Sequence, residues 1–354
     1  MRIIAYYLPQ FHPIPENDEW WGKDYTEWVS VRQAQPLFAG HQQPVVPGEL
    51  GYYNLLDPDV RERQAALARE AGIEGFCYWH YWFGGKQLLE QPLQQVVQSG
   101  KPDYPFCIGW ANESWKAKTW LDQQTAPDKM LIEQTYSEED DQAHFKAILP
   151  ILRDKRYIRV DGKPLLMVYR PLQLPDGAAW VTRWQTMARE AGFEGLYLLG
   201  HALYEREIDA VRAMGFDAVN IVPIGDVKRS PALMLRHLPT LVRYLLGRSP
   251  LVYDYRQATR VFASPVMKRE DVVPTILPNW DHSPRSKRRA FVLHHSTPEA
   301  FRQHAEEVKR IVDTKHNKLV MLKSWNEWGE GNYMEPDARW GRQYIDVLRE
   351  VMKV

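Results

Sequence analysis

Short apolar runs alternate with amphipathic stretches along nearly the whole chain. Eight runs, at 2–8, 73–79, 105–110, 164–169, 195–200, 216–222, 272–277 and 318–324, are continuously apolar rather than strictly alternating. Strands buried on both faces of a parallel sheet have this pattern. Helices with legible ends fall between them. Asp57 is placed to cap a helix that starts at Pro58 and stops at Gly72. Ser137 precedes an acidic first turn, which the helix dipole favours, and Pro150 is expected to kink or shorten that helix. Thr297 and Pro298 open another, and Asp337 to Val354 reads as the closing helix. AREAGIEGFCYW (68–79) and AREAGFEGLYLLG (188–200) repeat one helix–Gly–strand layout. Eight such units predict an α/β fold: a single (β/α)8 TIM barrel over residues 1–354. An inserted segment around 225–271 does not fit one βα unit; it reads as a helix at about 231–247 plus a loop around LVYDYRQATR. No G-x-G-x-x-G follows the first strand and no G-x-x-x-x-G-K-[ST] occurs, which weighs against an open nucleotide-binding sheet.

A barrel of this kind carries its active site at the C-terminal ends of its strands. Polar and aromatic residues gather there strand after strand. Tyr6, Tyr7 and His12 follow the first; Trp79, His80 and Tyr81 the second; Trp110, Asn112, Glu113 and Trp115 the third. Tyr169 and Arg170, His201, Asn220, and Trp280 with His282 follow later strands. The last strand leads into WNEWGEGNYMEPD, with Asn326, Glu327, Glu330, Tyr333 and Glu335. Cleaving a glycosidic bond needs one carboxylic acid and one carboxylate. Glu327 and Glu330 are three apart, so one helical turn puts both on one face. Packing among Trp325, Trp328 and Tyr333 would raise the pKa of one of them. Glu113 is a second candidate acid, read here as a substrate-binding residue because the late pair already supplies two carboxylates. His12, His80 and His201 read as hydrogen-bonders to substrate. The remaining residues of these clusters, Arg170, Asn220 and His282 apart, read as substrate-binding.

Composition sharpens this picture. The 14 Trp and 18 Tyr sit largely beside His, Asn and Glu, and flat rings with polar neighbours suit a sugar. The 45 basic residues balance the 45 acidic ones, so no nucleic acid partner is expected. No H-E-x-x-H or C-x-x-C spacing occurs, and neither a metal nor another cofactor is expected. Cys77 and Cys107 read as reduced core thiols. No leader sequence and no apolar run of about 20 residues is present, and a cytoplasmic location is expected. Two basic stretches stand out. PRSKRR at 284–289 could meet a phosphate, and 227–248 is a basic amphipathic stretch that could touch a membrane surface.

AYYLPQFHPIPENDEWWGKDYTEW, GIEGFCYWHYWF, PFCIGWANESW and WNEWGEGNYMEPD are long, Trp-rich motifs set near both ends of the chain and within its first third, and the resemblance they carry covers nearly the whole chain. In these motifs it resembles the WbsX-type proteins of bacterial polysaccharide gene clusters, which belong with the glycoside hydrolase family 99-like group. The resemblance implies a (β/α)8 barrel and a retaining, endo-acting α-mannosidase chemistry. In that family the first glutamate of N-E-W-x-E acts on the substrate 2-hydroxyl and the second is the general acid/base. These map onto Glu327 and Glu330. The hydrolases carry a His where this chain has Gly329, which leaves substrate and outcome open. The implied function is a hydrolase or transglycosidase on an α-linked, mannose-type glycan, free or lipid-linked. Alternatives are a glycosyltransferase of O-antigen or capsule assembly, the label WbsX-type proteins commonly carry, and a non-catalytic glycan-binding barrel. No D-x-D motif supports the transferase; the DPD at 57–59 reads as a helix cap.

Overall fold

A computed structural model describes residues 1–117 and 129–353. Each of the eight apolar runs forms a strand. They are β1 Arg2–Tyr7, β2 Gly75–Phe83, β3 Phe106–Trp110, β4 Lys163–Val168, β5 Tyr197–Ala202, β6 Ala218–Ile221, β7 and β8 Leu319–Leu322. β7 is split into Val272–Val273 and Thr275–Ile276 around Pro274, which has no N–H to give to a ladder. Its first half pairs with β6 and its second half with β8, so the ring closes through this one broken strand. All neighbouring pairs around the ring are parallel. This is the expected (β/α)8 barrel.

The outer helices are α1 Pro58–Glu70, α2 Gln91–Ser99, α3 Glu138–Leu152, α4 Gly177–Glu190, α5 Ile208–Ala213, α6 Pro298–Asp313 and α7 Gln343–Lys353. Their starts follow the sequence signals. Asp57 accepts the Asp59 N–H, Ser137 that of Asp140, and Thr297 that of Ala300. Pro150 lies inside α3, which ends two residues later at Leu152. The closing helix starts at Gln343, not Asp337, because Asp337 is held in a bridge to Pro47 and bonds the Tyr333 hydroxyl at 2.8 Å.

The inserted segment also differs from expectation. The one helix expected at 231–247 is replaced by two short ones, Pro231–Arg236 and Leu238–Leu245, with a third, Ile224–Arg229, just before them. Prolines at 231 and 239 cannot donate to a continuing helix, so the chain restarts at each. LVYDYRQATR is not a loop. Leu251–Asp254 is a strand parallel to Phe291–His294, which also pairs antiparallel with Trp280–Asp281. This small sheet lies over a separate apolar cluster that includes Val227, Leu233, Tyr253 and Phe291.

β2 is longer than its apolar core suggests, and that decides which side chains face inward. Successive residues on a strand point to opposite faces. Trp79 and Tyr81 face the barrel mouth, whereas His80 and Trp82 face the helix layer, where both meet His144 of α3.

Candidate active site

A cleft of about 520 Å³ opens at the C-terminal ends of the strands. Its aromatic walls include Trp79, Tyr81, Trp115, Tyr169 and Trp280. Glu327 and Glu330 line it together, though not through the single helical turn that their spacing suggested. They sit on a tight hairpin in which Asn326 and Glu327 pair with Tyr333 and Asn332, with a 3-10 turn at Trp328–Glu330 between. Gly331 ends that turn at φ 52°, with Asp281 so close that any side chain would collide.

Glu327 is buried and anchored twice. Trp79 Nε1 donates to its Oε1 at 2.7 Å and Lys323 Nζ to its Oε2 at 2.8 Å. Lys323 also reaches Glu330 Oε2 at 3.4 Å, bridging the pair. Glu330 Oε1 accepts from Arg285 Nη1 at 2.7 Å, and Arg285 Nε donates to Glu27 Oε1, also at 2.7 Å. Three carboxylates and two cations thus share one buried cluster. Burial raises the Glu327 carboxyl, and the neighbouring Glu330 charge adds to this against the pull of Lys323. Burial would raise Glu330 too, but Lys323 and Arg285 overcome it and hold this carboxyl well below its usual range. One glutamate is therefore disposed to hold a proton and the other to stay ionised.

The same geometry explains Gly329. A Cβ at this position would run into the Glu27 carboxylate and stand 2.9 Å from Arg285 Nε. The space that the side chain between Trp328 and Glu330 would fill is taken by the Glu27–Arg285 pair.

Of the other sequence-selected residues, Glu113, Trp115, Tyr169, His201 and Trp280 line the cleft. Glu113 pairs with Arg170 Nε at 3.1 Å near the opening. Burial pushes the Tyr169 hydroxyl up to about 12 and drives the His201 ring well below its usual value. A further set lies behind the cleft wall. Tyr6 stacks on Trp79 with ring centroids 4.9 Å apart and donates to Asn220 Oδ1 at 2.6 Å. Tyr7 bonds Gln64 of α1, and Trp110 packs outward against Trp180 and Trp184 of α4. His12 is fully buried, and His80 shares a 2.9 Å contact with His144. Asn112 accepts the Arg170 N–H and donates to its carbonyl, so it ties two strand ends together. Asn326 does the same to Leu8, at 2.7 and 3.0 Å. Tyr333 is spent on Asp337. Glu335 accepts from Tyr53, Gln64 and Trp328; burial nonetheless pushes its carboxyl up to about 7.

Lys323 and Glu27 were not singled out from the sequence, and Arg285 was noticed only within the basic stretch PRSKRR, as a candidate phosphate contact. Lys323 could have been: it is the charged residue that directly follows the apolar strand β8, four before Glu327. Arg285 and Glu27 carry no local signal, since their partners are 45 and 258 residues away.

Fold and site together define a (β/α)8 barrel with a paired-carboxylate, aromatic-walled cleft at its mouth. The family model described as "Glycosyltransferase WbsX" matches residues 3–348, and the chain belongs to the WbsX family. It is 37% identical over 353 residues to the uncharacterized protein WxcX of Xanthomonas campestris pv. campestris strain B100. That match covers 99% of this chain and 49% of the relative, so the chain spans about half the length of the curated protein it matches. Among solved structures, a glycoside hydrolase-like protein superposes with a TM-score of 0.62 at 17% identity, covering 100% of this chain and 94% of the other. A GH99 endo-alpha-mannosidase from Bacteroides thetaiotaomicron gives 0.60 at 13% identity, covering 99% and 96%. These two likenesses concern the fold.

Proposed function

We propose that the chain is a carbohydrate-active enzyme that cleaves or transfers an α-linked glycan with two glutamates. The observation that carries this reading is the Lys323-bridged pair of Glu327 and Glu330 in an aromatic cleft, with their proton affinities driven apart. The aromatic walls suit stacking against sugar rings. Family membership and the barrel shared with the GH99 endo-alpha-mannosidase support the substrate class, mannose-type and bacterial.

The ion pairs favour an order of roles opposite to the one the family resemblance implies. Glu330, held by Arg285 and Lys323, serves as the ionised carboxylate, and Glu327 donates the proton to the leaving oxygen. Substrates with poor and with activated leaving groups separate the two roles. Glu327→Gln should lower turnover of a poor leaving group by about 10²–10⁴-fold and recover on an activated aryl glycoside. Glu330→Gln should fail on both while retaining glycan binding. Recovery of Glu330→Gln instead would restore the family order, and full activity of both variants would remove the pair from the chemistry.

One observation favours a second reading, sugar transfer from a nucleotide- or lipid-linked donor in polysaccharide assembly. Lys228 and Arg289 are among the residues that line the cleft and could meet a diphosphate. Tight binding of a nucleotide sugar by calorimetry, with transfer to an acceptor, would rank it first.

A further inference from the structure

The pair of short helices Pro231–Arg236 and Leu238–Leu245 has two apolar faces. One is satisfied: Leu233, Met234, Leu241 and Tyr244 pack on the cluster beneath the inserted sheet. The other is not. Leu235 and Leu245 are 75% and 73% exposed, and Leu238, Val242 and Leu246 are exposed as well. Five of the nine exposed large hydrophobics among the described residues thus fall within residues 235–246. Leu238, Val242 and Leu245 recur at helical spacing, so this is a continuous stripe and not scatter. Single exposed leucines are ordinary on a protein surface, whereas a stripe of them marks a contact.

Charge identifies the contact. No Asp or Glu occurs between Asp226 and Asp254, while Arg236, Arg243 and Arg248 are exposed beside the leucines. An apolar stripe flanked by cations, with no anions, complements an anionic lipid surface, leucines in the acyl boundary and guanidinium groups at the phosphates. No helix among the described residues is long and apolar enough to cross a membrane, so the contact is with one face of the bilayer.

We propose that residues 231–248 dock this chain on an anionic bilayer surface. The helix Ile224–Arg229, which contributes Ile224 and Lys228 to the cleft, is joined to the docking pair through Ser230 alone. A docked bilayer therefore adjoins the cleft wall, where a lipid-linked glycan would present its sugar. That last consequence rests on the proposed glycan chemistry; the docking does not.

The test is co-sedimentation with vesicles of phosphatidylcholine alone or mixed with phosphatidylglycerol. Binding should be roughly tenfold or more stronger to the anionic vesicles and should fall with added salt. A triple variant Leu235→Gln, Leu245→Gln, Leu246→Gln should lose roughly tenfold in binding, as should Arg236→Gln, Arg243→Gln, Arg248→Gln. Leu172→Gln, an exposed leucine outside the stripe, should bind as the parent does, and circular dichroism should be unchanged in all three. Absence of binding to phosphatidylglycerol vesicles overturns the proposal. So does binding that survives both triple variants. A concentration-dependent dimer, abolished by the leucine variant and formed without any vesicle binding, would assign the stripe to a second copy of the chain instead.

Discussion

Gly329 shows how one small residue can encode a charged site. Its hydrogen leaves room for Glu27 and Arg285, and Arg285 in turn keeps Glu330 ionised. Gly329→Ala should therefore destabilise the fold by about 1–3 kcal/mol, the usual cost of overpacking a tight interior. Its activity should fall further than stability alone explains, because the methyl displaces the pair that faces Glu330. Adding Glu27→Ala should relieve the clash, so denaturant melts of the two single variants and the double should be non-additive. Additive losses would mean that Gly329 and Glu27 do not share this space. The carboxylates themselves were legible in the sequence, since Glu327 and Glu330 lie three apart among tryptophans. Their counter-ions were not. Coulombic partners are chosen by the folded geometry, and nothing near Arg285 in the chain announces a glutamate.

At the scale of elements, strands were readable because burial on both faces leaves a run of apolar residues with no polar interruption. The helix–Gly–strand echo was equally real: α1 and α4 both end at a glycine with positive φ, Gly72 and Gly192, before β2 and β5. What the pattern could not reveal is the sense of each side chain at a strand end. His80, Tyr7 and Trp110 carry the chemistry of sugar binders, yet alternation turns them to the helix layer. The inserted segment misled for another reason, because its apolar residues serve two faces and three short helices, which blurs any single period. Asn326 illustrates a residue type that signals a site yet works on the backbone. Its amide satisfies both the N–H and the carbonyl of Leu8, joining the loop after β8 to the end of β1. Asn326→Ala would leave two buried main-chain groups unpaired and should cost about 2–4 kcal/mol by urea denaturation, with no glycan present. A variant as stable as the parent, with only its apparent glycan affinity weakened, would return Asn326 to a substrate-binding role.

For the molecule as a whole, the buried ionisable groups set how stability responds to pH. Burial lowers His12 and His80 to about 4 and His304 to about 3. His144 and His201 are also driven well below the ordinary value by burial. A histidine depressed in the fold contributes stability in full above its unfolded pKa of about 6.5, and loses it as pH falls toward the folded value. Glu335 acts in the opposite sense. Its carboxyl is raised to about 7, so its contribution is present below its unfolded value and fades as pH rises through about 7. Five histidines outweigh Glu335 and Glu327, the latter also raised by burial. Between about pH 6.5 and pH 4.5 the unfolded chain gains more protons than the fold, and each excess proton is worth about 1.4 kcal/mol per pH unit. Against a total stability of about 5–15 kcal/mol, even half of that response should unfold the barrel before pH 4. Urea midpoints should thus fall steeply from about pH 7 to about pH 5, and replacing His80 and His144 together by apolar residues of similar size should flatten the slope. A midpoint that holds steady across that range would show that these rings, once protonated, find carboxylate or carbonyl acceptors inside the fold, and the interior behind the cleft would then be far more polar than its packing indicates.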